Sequence, residues 1–225
     1  MNLAAFFASV RHELGPLTRS QVSGFEVLLP VMRGLPISHQ AYLLATAWHE
    51  TAARMQPVRE ALATSDDGSI RALDRAWKAG NLPWVKQPYG RRDADGKAWF
   101  GRGYVQLTHR DNYQKASDHI GVDLVVSPAA ALEPVIAARV LVQGCSEGWF
   151  TGKKLADYLP GNYVGARHVV NGTDCASDIA GYAQMFEVAL REAGVPVAAD
   201  PQVFGFWGII KTFFAGLALL FGRPK

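Results

Sequence analysis

Cysteine is scarce: the chain carries two, Cys145 and Cys175, among 225 residues. They form no Cys-x-x-Cys pair and have no histidines at zinc-finger spacing, so a structural zinc site is not indicated. Cys145 falls in the apolar run Val140 to Phe150 and reads as buried packing, and the sequence leaves a disulfide between the two open. There is no internal repeat and no low-complexity segment, which argues against a repeat array or a disordered chain. The N-terminus, Met1 to Phe7, lacks a basic lead and a long apolar core. By pattern it is not a secretory signal, and the expectation is synthesis in the cytoplasm with no export signal of its own. An excess of one charge is also missing. With 23 Lys+Arg against 20 Asp+Glu the net charge is +3, too small to argue for nucleic acid.

What is present is a globular composition, 49% apolar and 19% charged, in a chain long enough for one domain with its own core. The dominant period is helical. The first turns end near Gly15-Pro16. Thr18-x-x-Gln21 has capping-box spacing. Ser38 is placed to cap a helix through Tyr42, Leu44 and Trp48 that ends before Pro57. Further helices are expected over Ser69 to Ala79, Asp111 to Ile120, Pro134 to Glu147 and Cys175 to Ala193, with glycines at their stops. Residues 81 to 101 break the pattern. Asp95-Gly96 signals a hairpin turn there, and Tyr104-Val105-Gln106-Leu107 reads as a short strand.

The chain divides into a body over 1–195, a linker over 196–203 and an apolar tail over 204–225. From Phe204 to Phe221 only Lys211 and Thr212 are polar interruptions, near the lower limit for spanning a bilayer. As a helix it would set Phe206, Ile210, Phe213 and Leu217 on one face and Gly208, Thr212 and Gly216 on the other. That pattern reads as membrane contact, against the alternative of a last helix folded onto the body.

The chemistry begins at His49-Glu50-Thr51. A zincin would need a second histidine at position 53, which is Ala, so metal hydrolysis loses its best candidate and no metal or cofactor is expected. What remains is a carboxylate closing an apolar helix. Ten residues on stands Glu60, beyond Pro57. Pro57 turns the chain out of helix, which allows Glu60 to come opposite Glu50. Two carboxyl groups across one bond are what a glycosidase needs. The segment from Gly101 to Thr108, followed by Asn112-Tyr113, adds short polar groups suited to hydroxyl, acetamide and water recognition: Gln106, Thr108 and Asn112. Arg102 either binds an acetamide carbonyl or wall carboxylate, or braces Glu60 in an ion pair. Asp93 and Asp95 read as turn residues, and Trp77, Trp84, Trp99 and Trp149 individually as core.

These motifs together resemble family 19 of the glycoside hydrolases, which includes chitinases and phage endolysins. The resemblance rests on several stretches in order. They are His49-Glu50-Thr51, Met55-x-Pro57-Val58-x-Glu60, Gly101-Arg102-Gly103-x-x-Gln106-Leu107-Thr108-x-x-x-Asn112-Tyr113, and Val169-Val170-Asn171-Gly172. Ala41 to Thr46, Gly148 to Gly152 and Asn171 to Asp174 resemble the endolysin branch more than plant chitinases. The resemblance spans roughly residues 17 to 194.

It implies a mainly α, lysozyme-like two-lobed domain with a small β-hairpin element, and hydrolysis of β-1,4 bonds in peptidoglycan with inversion. It implies Glu50 as acid, Glu60 as the base that activates water, and Thr108 as the hydroxyl holding that water. Gln106, Asn112 and Asn171 match sugar-binding positions, with Arg102 and Tyr104 completing the substrate-binding set. His109 and Asp111 stand where the chitinase motif commonly has aromatic residues. A monomeric endolysin released to the wall through a holin-type hole is the implied setting. The alternatives are a chitinase and a catalytically inactive sugar-binding module; the presence of Glu50, Glu60 and Thr108 together argues against the last.

Overall fold

A computed structural model describes residues 1–196, so the tail over 204–225 and nearly all of the linker lie outside the described residues. Beside four short 3₁₀ turns, the regular structure there is seven α-helices and one two-stranded sheet. In chain order they are α1 (Leu3–Leu14), α2 (Arg19–Val31), α3 (Ile37–Glu50), β1 (Val58–Arg59), α4 (Asp66–Lys78), β2 (Arg102–Gly103), α5 (Arg110–Ile120), α6 (Pro134–Glu147) and α7 (Ala176–Glu192).

Local chemistry explains most boundaries. Thr18 and Gln21 form the reciprocal capping box that starts α2, Thr18 Oγ1 accepting from the Gln21 N–H at 3.2 Å. Pro134 opens α6, where its missing N–H costs nothing, and Gly148 closes it in the left-handed region at φ 79°. Two starts differ from expectation. Ser38 caps nothing: α3 begins at Ile37 after Pro36, and Ser38 is buried inside its first turn. Helix α4 begins three residues early, because the Ser65 side chain accepts from the Gly68 N–H at 3.1 Å and caps it first.

Helix α3 is the axis of the body, with every residue from Ile37 to Trp48 buried. It packs on α7 and α6, and α1 and α2 close the remaining sides. Phe25, Trp48 and Phe186 meet at the centre of this large apolar cluster. A second, small cluster of Leu73, Ala98 and Phe100 lies under α4 and the loop that follows it. The chain is therefore mainly helical with a large and a small apolar centre and a minor β element, as the sequence implies.

The β element itself is a correction. It is not a hairpin near residue 95. Asp93 and Gly96 do make a turn there, with the Asp93 N–H donating to the Lys97 carbonyl at 2.7 Å, but no strands flank it. The sheet instead pairs distant segments, Val58 with Gly103 and Arg59 with Arg102, antiparallel. Tyr104 to Leu107 is a turn and not a strand. Gln106 sits at φ 54°, and the Leu107 N–H returns to the Arg102 carbonyl at 2.9 Å.

Between α3 and β1 the chain makes a tight turn at residues 51–57. The buried Thr51 hydroxyl donates to the Ala47 carbonyl at 2.7 Å and accepts from the Met55 N–H at 3.0 Å, tying the turn to the helix end. Gln21 and Gln56 tie it to α2 through the Ala53 and Ser20 carbonyls. The fit against α2 is so close that a Cβ at Gly24 would meet the Met55 carbonyl oxygen at 1.7 Å. Gly24→Ala must therefore push two backbones apart. We expect it to lower stability by about 3 kcal/mol, read as a reduced urea midpoint. An unchanged midpoint would show that this turn yields freely.

Candidate active site

Glu50 is the last residue of α3, with its side chain 16% exposed. Its Oε1 accepts from Arg167 Nη1 at 2.6 Å. Arg167 lies in a 3₁₀ turn over Gly165–Val169, is 3% exposed, and is fixed from behind by donating through Nε to the Asp174 carbonyl at 3.0 Å. Asn171 follows one turn later, exposed, with its N–H on the Arg167 carbonyl. Glu50 Oε2 has no hydrogen-bond partner among the described residues.

Glu60 follows β1 and is half-buried. One carboxylate oxygen accepts from the Tyr89 hydroxyl, the other from the Gly101 N–H at 2.7 Å. Its backbone is held as well, the N–H donating to the Gly101 carbonyl at 2.7 Å and the carbonyl accepting from Ser69 Oγ at 2.9 Å. Burial first, and then the neighbouring Glu60 carboxylate, push the Tyr89 hydroxyl well above the ordinary tyrosine range, so it stays protonated and remains a donor.

Gly101 explains why that segment needs glycine. A Cβ there would lie 2.7 Å from Gln106 Oε1 and 3.2 Å from Thr108 Oγ1. Those two side chains thus crowd the same backbone that binds Glu60. Thr108 Oγ1 donates to the Gln106 carbonyl at 2.7 Å, which leaves its lone pairs for another donor, and Asn112 Nδ2 donates to the Thr108 carbonyl at 2.8 Å. The structure so links Glu60, Gln106, Thr108 and Asn112 in one set of contacts through Gly101, and Glu50 with Asn171 in another through Arg167. The turn over 51–57 joins them, and the two carboxylates share no hydrogen-bond partner.

Arg102 and Tyr104 belong elsewhere. Arg102 is 1% exposed and is neither a ligand group nor a brace for Glu60. It pairs with Asp66 at 2.8 Å, donates to the Ala98 carbonyl and the Tyr113 hydroxyl at 2.9 Å, and lies over the Phe100 ring at 3.7 Å. Tyr104 is fully buried, its hydroxyl turned to the Met55 carbonyl. Tyr104 was expected to touch substrate, and Arg102 to do so or to brace Glu60; both are instead buried, Arg102 on the strand paired with β1 and Tyr104 in the turn that follows it. Asp93 spends its carboxylate on the Asp95 and Lys97 N–H groups and the Trp99 indole, as a turn residue does. Trp99 and Trp149 are core, whereas Trp84 is 74% exposed. Both cysteines are free thiols, and burial pushes Cys145 far up, so it stays protonated.

Two residues escape sequence reasoning altogether. Arg167 meets Glu50 across 117 positions and Tyr89 meets Glu60 across 29. Neither has a local spacing rule. The available signal is an arginine inside the apolar stretch Val164 to Val170, which needs a buried partner.

Part of the chain is similar to known proteins. Residues 61–153 match the glycoside hydrolase family 19 model, described as chitinase class I. That span contains Tyr89, Gly101, Gln106, Thr108 and Asn112; Glu50, Glu60 and Arg167 fall outside it. Among particular relatives, Chitinase 11 of Oryza sativa subsp. japonica is 47% identical over 45 residues, 20% of this chain and 18% of that protein. Acidic endochitinase pcht28 of Solanum chilense is 45% identical over 47 residues, 20% of this chain and 19% of that one. The match thus spans about a fifth of the length of either curated relative. Among solved structures, chitinase C from Streptomyces griseus HUT6037 overlaps 88% of this chain and 78% of its own at 16% identity and a TM-score of 0.49. A bacterial family 19 chitinase overlaps 88% and 96% at 18% identity and a TM-score of 0.43.

The Asp66 cluster generates a pH prediction. Burial works to raise the Asp66 carboxyl, but hydrogen bonds and charge from Arg59 and Arg102 outweigh it and hold the group below the usual carboxylate range. A depressed folded value means stability that is fully present above the unfolded value, about pH 4, and lost as the pH falls through the folded one. Asp66→Asn should cost about 2 kcal/mol at pH 7, since it leaves buried Arg102 without its counter-charge. The gap to wild type should narrow by pH 3. Urea midpoints at the two pH values check this, and a gap that is constant with pH would refute it.

Proposed function

We propose that this chain is a glycoside hydrolase that cleaves β-1,4 bonds between N-acetylated sugars of bacterial peptidoglycan with inversion, as a phage-type endolysin. The observation that carries this reading is where the backbone is strained. Among the described residues eight non-glycine positions adopt left-handed φ, and seven of them flank Glu50, Glu60 and Thr108: Ala52, Ala53, Met55, Ala61, Leu62, Gln106 and His109. Each costs about 1–2 kcal/mol, a cost that a fold meets where side chains must be aimed.

In this mechanism Glu50 gives its proton to the glycosidic oxygen as the bond from that oxygen to the anomeric carbon breaks. Arg167 occupies Oε1, which leaves Oε2 as the oxygen that serves the leaving group. On the opposite face a water donates one hydrogen to Glu60 and the other to Thr108 Oγ1, aiming its lone pair at the anomeric carbon. Glu60 takes the proton as the new bond forms. Tyr89 and the Gly101 N–H hold Glu60 from the far side of each oxygen. Gln106, Asn112 and Asn171 hold the sugars. No step calls on a metal or cofactor.

The setting is release of a monomeric enzyme from the cytoplasm to the wall through a holin-type hole, with membrane contact through residues 204–221. A chitinase is the second reading, favoured by the similarity to Chitinase 11 and acidic endochitinase pcht28.

Glu50→Gln and Glu60→Gln should each lower kcat by about 10²–10⁴-fold with the fold intact by circular dichroism. Thr108→Val should lower it by about tenfold, roughly 1.4 kcal/mol. Wild-type turnover in Glu50→Gln would end the assignment. Mass spectrometry of fragments released from purified wall should show a new reducing-end sugar. Release from chitin oligomers with none from wall would establish the chitinase instead.

A further inference from the structure

One stripe of α3 runs from Glu50 back into the core. Tyr42, Thr46 and Glu50 stand four residues apart, so successive side chains differ by about 40° around the helix and share one face. Tyr42 and Thr46 are fully buried, yet neither hydroxyl makes a hydrogen bond of good geometry among the described residues. A polar group left bare in the interior is costly, and native folds leave few of them. The other two buried side-chain atoms without a partner are Arg102 Nε, in the Asp66 cluster, and Ser146 Oγ, beside Cys145 on α6.

The same layer holds a buried donor short of acceptors. Arg167 donates through Nε to the Asp174 carbonyl and through Nη1 to Glu50, while its Nη2 has no partner among the described residues. These groups feel one another. Burial first, and then Cys145, push the Tyr42 hydroxyl well above the ordinary tyrosine range; Arg167 and Thr46 pull it down, and Glu50 adds to the rise. Burial first, and then Glu50, raise the Cys145 thiol, and Arg167 opposes them. The Tyr42 ring is fixed by stacking on Tyr163, with centroids 6.3 Å apart and planes 6° from parallel, and the Tyr163 hydroxyl donates to Glu187.

We propose that one internal water joins Tyr42 Oη, Thr46 Oγ1 and Arg167 Nη2, and that through it the two hydroxyls position Arg167 on Glu50. The water accepts from the Arg167 N–H and the Tyr42 O–H and donates to Thr46 Oγ1, about three bonds being usual for a buried water. It gives the guanidinium a third point of support beside the Asp174 carbonyl and the Glu50 carboxylate. Oε1 then stays engaged and Oε2 keeps its direction. The water is independent of the glycosidase reading; its effect on turnover rests on Glu50 as the acid.

A high-resolution crystal structure should show one water within about 3.2 Å of all three atoms. Tyr42→Phe and Thr46→Val keep the shape of the core. Each should lower the folding equilibrium constant about fivefold in urea unfolding, and the double variant should lose clearly less than the product, because both lose the same water. Tyr42→Phe should also lower kcat about fivefold with KM unchanged, and Thr46→Ser, which keeps the hydroxyl, should hold kcat within about twofold of wild type. A Tyr42→Phe protein more stable than wild type, losses that multiply, or density with the two hydroxyls bonded directly and no water would each overturn the proposal. Unchanged kcat in Tyr42→Phe with the water in place would overturn the positioning role. A wild-type chain inactive on wall and on chitin oligomers would end the glycosidase reading instead, and the density and urea results would still decide the water.

Discussion

The structure around the candidate site depends on one buried charge. Arg102 has a 1% exposed side chain, and its two terminal guanidinium nitrogens are met by Asp66 from α4, by the Ala98 carbonyl and by the Tyr113 hydroxyl from α5, while Nε has no partner among the described residues. A cation taken from water at this depth is tolerable only when a counter-charge and hydrogen bonds meet it together. Meeting it fixes the start of α4, the loop ahead of β2 and the first turns of α5 relative to one another. Asp66 also holds Arg59 at 2.7 Å, so one carboxylate joins the two arginines that face each other across the sheet. The residue directly after β1 is Glu60, and the residue before Arg102 is Gly101, whose N–H binds it. The clamp thus sets the position of the second carboxylate without touching it.

Glu50 is held by a different part of the molecule. It closes the most buried helix of the body, and its partner Arg167 comes from a 3₁₀ turn ahead of α7. The two carboxylates therefore belong to two apolar centres of unequal size, and the strained turn over 51–57 fixes how they are joined. Thr51, the third residue of the His-Glu-Thr motif, has a structural part in this: its hydroxyl satisfies a helix-end carbonyl and a turn N–H at once. A motif that reads as chemistry is thus one catalytic candidate beside a capping device.

Elements with a self-contained local reason were legible in the sequence. Thr18 and Gln21, Pro134 and Gly148, and Gly121 each set a boundary within a few residues of themselves, and the structure keeps them. Short strands were not legible. A two-residue pairing between positions 58–59 and 102–103 carries no alternation to detect, and the turn chemistry of Asp95-Gly96 attracted a hairpin that has no strands to join. The same limit applies to site residues. Gln106, Thr108 and Asn112 lie close together in sequence and in space, while Arg102 and Tyr104, just ahead of them, are buried; the turn that follows β2, with Gln106 at φ 54°, breaks the alternation by which a strand pattern would have sorted them.

By itself the sequence determined a mainly helical body, the identity of two acids, a hydroxyl and several amides as candidates, and an apolar segment set apart from that body. These follow from side-chain chemistry and from patterns that repeat every few residues. Only the tertiary structure decided what each candidate faces: Arg167 for Glu50, Tyr89 and Gly101 for Glu60, Asp66 for Arg102. The reason is that a buried polar group must find a partner wherever the fold supplies one, and in a folded chain that partner is set by packing, at sequence distances that no local pattern encodes.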